Sequence, residues 1–97
     1  MEMQTWSVDD QLDTPERIAR YLEAAFEDGD PALIAAAIGD AARAHGMTRI
    51  AQETGLAREA LYRALSESGN PEFTTVLKVL KALGLRLAAV EQEAETV

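Results

Sequence analysis

Hydrophobic residues recur at helical spacing in five separate runs along this chain, each bounded by residues that start or stop a helix. In the first, Ile18, Leu22, Ala25 and Phe26 fall on one face. Asp13-Thr14-Pro15-Glu16 precedes them: Thr14 can cap free N–H groups, and Pro15 suits a first helical position, where no N–H partner is needed. Asp28-Gly29 ends the run, and Asp30-Pro31 repeats the start signal at once. The second run buries Leu33, Ile34, Ala37, Ile38 and Ala41 and stops at Gly46. A short third helix is predicted after Thr48, as its capping residue, to Thr54, with Gly55 as the break. The fourth covers roughly residues 58–66, and Ser68-Gly69-Asn70-Pro71 reads as a loop. The fifth carries Phe73, Val76, Leu77, Leu80 and Leu83 on one face and ends at Gly84. Weak alternation over residues 85–90 allows a short C-terminal strand. The pattern therefore predicts an all-α, five-helix domain over residues 13–90, with an acidic arm at 1–12 and an acidic tail at 91–97.

Composition agrees with helices. Ninety-seven residues suffice for one small domain, and the apolar content is mostly Ala and Leu, with few aromatic or β-branched side chains to favour sheet. The absence of cysteine excludes disulfides and thiolate metal sites. No basic segment followed by an apolar run opens the chain, and its apolar stretches are far too short to span a bilayer. The expectation is a small soluble protein of the cytoplasm. Charge divides it unevenly. Residues 1–30 hold nine acidic and two basic side chains, whereas residues 31–90 hold five acidic and seven basic, a net of +2 within a chain of net −8. Acidic ends around a mildly basic centre suggest two surfaces facing different partners, although acidic ends also keep a small protein soluble.

The basic centre contains the one motif with specific spacing. Two short helices joined by a tight glycine-containing turn form a helix-turn-helix pattern. Ala51 precedes Gly55 by four residues, where a small side chain lets the second helix cross closely, and Ile50, Leu56 and Leu61 stand where apolar residues lock the pair. The outward face of the second helix is then Arg58, Glu59, Tyr62 and Arg63, with Ala57 just ahead of it and Arg49 on the preceding helix. In a recognition helix the N-terminal residues lie nearest base edges. Arg58 is thus placed to read guanine or grip phosphate, and Arg63, one turn on, to contact phosphate. Tyr62 can meet a thymine methyl or a phosphate, and Glu59 can accept from cytosine. Short helices separated by glycine also occur in plain helical domains, and some such motifs serve protein contacts.

Little else carries chemistry. His45 is the sole histidine and stands at a helix end, without cysteines or a triad pattern to make it a metal ligand or a base. No phosphate-cradling glycine loop or dinucleotide fingerprint occurs, so no cofactor and no enzymatic activity are expected. Trp6 stands alone in the acidic arm and suits a hydrophobic anchor, for a partner or for the domain itself.

The run MTRIAQETGLAREALYRALSESGNPEFTTVLKVLKALGLRL resembles the probable addiction-module antidote proteins, HigA-like antitoxins with a Cro/repressor-type helix-turn-helix. REALYRALSESGNP followed by VLKALGL carries most of the likeness, which extends over about residues 12–88 through DTPERIARYLEAAFEDGDPALIAAAIGDAARAHGM. The resemblance implies an autorepressor that binds its own promoter DNA as a homodimer and neutralises a toxin, typically a small basic RelE/HigB-like ribonuclease encoded beside it. One departure is Ala57, where such proteins usually carry a helix-capping Ser. A basic toxin would suit the acidic ends. Asp9, Asp10, Asp13, Glu16, Glu23, Glu27 and Asp28 are the first candidates for that contact, with Glu91, Glu93 and Glu95 second. Dimerisation falls to Leu83, Leu85, Leu87 and Val90, through strand pairing of LRLAAV, or to the fifth helix around Val79 and Leu83. A phage-type repressor without a toxin, and a helical interaction module that no longer binds DNA, remain alternatives.

Overall fold

The computed structural model describes residues 12–92, and these contain five helices: α1 (Pro15–Asp28), α2 (Pro31–His45), α3 (Met47–Thr54), α4 (Arg58–Ala64) and α5 (Phe73–Ala82). Both strong start signals form as expected. Thr14 Oγ1 accepts the Arg17 N–H at 3.2 Å ahead of Pro15, and the Asp30 carboxylate accepts the Ala32 N–H at 3.0 Å ahead of Pro31. α2 packs against α1, α3 and α4, and α3 in turn touches α4 and α5. One core results, built from Leu12, Leu22 and Ile18, Ile38 and Ala41, Met47 and Ile50, Leu61 and Leu65, and Val79, Leu80 and Leu83. Each fully buried Leu or Ile contributes about 1.5–3 kcal/mol relative to exposure. Alanines along α2 let its neighbours approach closely. One close approach is at Gly39, where an added Cβ would stand 2.1 Å from the Leu65 carbonyl oxygen.

Several expectations need correction. α3 begins at Met47, not after Thr48: Met47 is buried, which ties the first turn to the core, and Gly46, at φ 113°, occupies the capping position. Thr48 lies inside the helix and exposed. α4 stops at Ala64, two residues early, because Leu65 leaves the helical region at φ −98°, ψ 58° while burying its side chain. The short strand is not seen: residues 85–92 have no regular secondary structure. The Leu85 N–H bonds back to the Leu80 carbonyl at 2.8 Å, and among the described residues no backbone–backbone hydrogen bond joins residues 86–92 to another segment. Four residues assigned to buried faces, Phe26, Leu33, Phe73 and Leu77, are exposed. In so small a body each apolar stripe is covered over only part of its width, and its flanking positions stay open.

A polar bridge ties α1 to α2. The Tyr21 hydroxyl donates to Asp40 Oδ2 at 2.7 Å, and Arg43 grips the other oxygen of the same carboxylate. Burial, the hydrogen bond to Asp40 and the charge of Asp40 push the Tyr21 phenol up to about 12 from an ordinary 10.0. The unfolded chain therefore ionises first. This contribution to stability is present below pH 10 and is lost as pH rises through 12. Urea unfolding followed across that window should lose stability in the native protein and less in Tyr21→Phe.

Candidate nucleic-acid interface

The candidate site is the outer surface of α3, the turn after it and α4. Its inner side is fixed by Ile50 and Leu61, both essentially fully buried, with Ala51 and Leu56 half-buried beside them. The turn itself is held twice. Gly55 adopts the left-handed region at φ 76°, and its N–H reaches the Ala51 carbonyl at 2.9 Å. Thr54 Oγ1 donates to the Ile50 carbonyl at 2.7 Å and accepts the Leu56 N–H at 3.2 Å, linking the end of α3 to the turn. These constraints fix how α4 leaves α3.

With Leu61 turned inward, the residues expected to face outward do so: Ala57, Arg58, Glu59, Tyr62 and Arg63 are all exposed. The Arg58 guanidinium lies over the Tyr62 ring, 5.5 Å from its centroid. Stacking of this kind orients the planar fork of an arginine while leaving donors free. Among the described residues neither Arg58 nor Arg63 forms an ion pair. Arg49 projects from α3 with its side chain 65% exposed, 3.9 Å from Glu53. α4 thus presents two exposed arginines with one aromatic, an arrangement able to bind a polyanion and to offer bidentate donors to a base edge.

Ala57 occupies the N-cap position of α4, extended at φ −70°, ψ 134°, and supplies no capping bond. Ser in its place can accept one of the free N–H groups. Ala57→Ser should stabilise the protein by about 1 kcal/mol, read as a higher urea midpoint with unchanged slope.

The other candidates are spread over the rest of the chain. Asp9, Asp10 and Trp6 lie outside the described residues, as do Glu93 and Glu95. Asp13 sits 3.6 Å from Arg17. Glu16, Glu23 and Glu27 form one exposed stripe along α1, interrupted by Arg20, and Asp28 stands at the helix end. The dimer candidates separate. Leu83 and Val79 are core residues of the single chain, at 2% and 0% exposed. Leu85 is half-buried, whereas Leu87 and Val90 are open to solvent. His45 lies at the end of α2 with Nε2 buried, without a hydrogen-bond partner among the described residues and 3.9 Å from Glu53. Among the described residues no three His, Asp or Glu side chains gather to hold a metal ion.

Two features of the site escape the sequence pattern, Thr54 and the Arg58–Tyr62 stack. The four-residue spacing of Arg58 and Tyr62 is the available signal for the stack. Thr54 resembles any polar residue at a helix end, and its second hydrogen bond depends on the turn conformation.

Residues 2–91 match the sequence profile of a family described as "Probable addiction module antidote protein". An uncharacterized protein of Haemophilus influenzae is 44% identical over 85 residues, spanning 88% of either chain. No solved structure matches.

Proposed function

The chain belongs to the family of probable addiction module antidote proteins, and from that premise we propose that it is the antitoxin of a type II toxin–antitoxin module and represses its own operon. The supporting observation is the exposed set Ala57, Arg58, Glu59, Tyr62 and Arg63 on a helix whose opposite side is locked into the core by Leu61. In this reading α3 and α4 are a Cro/repressor-type helix-turn-helix. α4 enters the major groove with Arg58 toward base edges, and Arg63 and Arg49 contact phosphates. Reading a two-fold symmetric operator calls for a homodimer. Residues 85–90 suit that role, because Leu87 and Val90 are exposed and, among the described residues, no backbone–backbone hydrogen bond is made beyond Leu85.

The toxin partner is a small basic ribonuclease of the RelE/HigB-like type. The α1 stripe of Glu16, Glu23 and Glu27, continued by Asp28, offers it complementary charge, with Asp9, Asp10 and Asp13 extending that surface. The protein acts by binding, not catalysis, and works in the cytoplasm. The test is co-expression with the small basic reading frame next to its gene. Growth arrest from that frame alone, relieved by this chain, supports the antitoxin. An adjacent frame that is harmless by itself, or arrest that this chain fails to relieve, contradicts it.

A further inference from the structure

α5 turns Val76, Val79, Leu80 and Leu83 to the core, and beside that face it carries a second row left open to solvent. Phe73 is 67% exposed and Leu77 41%, and Lys81, four residues further on, is exposed as well. Residues four apart on a helix lie one above the other, so these three form one continuous row. No carboxylate interrupts it, since residues 73–83 contain neither Asp nor Glu. Among the described residues Lys81 forms no ion pair.

The row is complementary to itself. Leu77 stands at the middle of the ten-residue helix, with an aromatic ring four positions before it and a cation four positions after it. Rows of four-residue spacing pack against one another in the commonest class of helix pair. A second copy that runs antiparallel and crosses at Leu77 sets leucine against leucine, and each Phe73 ring against the partner's Lys81. The first contact removes apolar area from water, and the second places an ammonium over an aromatic face. A parallel copy would set Lys81 against the partner's Lys81 instead. One exposed apolar side chain is ordinary on a small protein, but this order of aromatic, aliphatic and cationic residues selects a copy of the same chain.

We propose that α5 forms the centre of a two-fold homodimer, in which Leu77 meets the partner's Leu77 and Phe73 covers the partner's Lys81. The inference rests on the homodimer of the proposed repressor and places its axis. A single row is smaller than the roughly 800 Å² that each partner of a stable pair buries. Leu87 and Val90 are the next exposed apolar residues, and their segment leaves from the end of the same helix, because the Leu85 N–H is tied to the Leu80 carbonyl.

The chain has no cysteine, so Leu77→Cys in the full-length protein puts one thiol on the proposed axis. Helices packed about 8–10 Å apart bring facing thiols within disulfide reach. Mild oxidation should link this variant as a dimer about 10-fold faster than Gln52→Cys, an exposed position on α3. Sedimentation gives a second reading. Leu77→Asp should raise the dimer dissociation constant on the order of 100-fold and Phe73→Ala about 10-fold, with helical circular dichroism unchanged. If Leu77→Asp does not fold, Phe73→Ala and the crosslink carry the test. A native dimer that neither variant weakens, with Leu77→Cys linking no faster than Gln52→Cys, would overturn the α5 contact and leave the homodimer to residues 85–90. A native protein that is monomeric at about 100 μM would overturn the contact and the homodimer together. A dimer weakened as expected that shows no specific DNA binding would support the contact and contradict the repressor alone.

Discussion

Gly39→Ala will lower the unfolding free energy by about 3 kcal/mol, the upper range for forcing extra volume into a packed interior. For a domain of this size that corresponds to a fall in Tm on the order of 15 °C. The new Cβ would meet the Leu65 carbonyl oxygen at 2.1 Å and its carbonyl carbon at 3.1 Å, both backbone atoms that no rotamer change can move. Alanine favours a helix interior over glycine by about 1 kcal/mol, so the clash must exceed that gain, and at this separation it does. α2 and the end of α4 have to part, which also shifts α4 against α3 and disturbs the arginine face. Gly29→Ala is the contrast. Nothing stands within 4 Å of a Cβ there, and only the left-handed backbone at φ 81° opposes it. Its expected cost is about 1 kcal/mol. Denaturant unfolding of the two variants separates clash from backbone strain, and equal losses would mean that Leu65 does not press on α2.

Gly39 also illustrates what the sequence conceals. A glycine inside an alanine-rich helix is unfavourable locally, so it signals that something approaches closely, but only the packing identifies Leu65. Where a boundary depends on side chains near in sequence, as at Thr14-Pro15 and Asp30-Pro31, it is legible. Where it depends on a distant contact, it is not. Thr48 looks like a cap, yet burial of Met47 draws the helix start back to it. Phe26, Leu33, Phe73 and Leu77 keep helical spacing with core residues, but periodicity specifies a face and not how much of it a neighbour covers. The outward face of α4 is readable because Leu61 and Leu65, both wholly buried, fix the rotation of so short a helix.

Arg58→Ala should weaken binding to specific duplex DNA by about 1–3 kcal/mol, roughly 5- to 150-fold, and relax preference at one base pair of each half-site. Stacked on Tyr62 and without an ion pair among the described residues, its guanidinium enters a complex without first breaking a salt bridge. Arg58→Lys retains the charge but not the planar fork. It should keep the salt dependence of binding while the base preference is lost. Arg63→Ala should behave differently, weakening all sequences alike and reducing the salt slope by about 1. If Arg58→Ala and Arg63→Ala both leave affinity unchanged, α4 is not the recognition helix.

The measurement that bears most directly on the proposed repressor role is an anisotropy titration of the purified native protein against the DNA upstream of its gene and a shuffled fragment of equal composition. It should be run at several salt concentrations including about 150 mM, since affinity for a polyanion has meaning only at stated salt. Tight binding to the upstream fragment and much weaker binding to the shuffled one is the predicted result. Equal and weak binding to both would contradict it, and would leave the arginine face of α4 as a surface for some partner other than DNA.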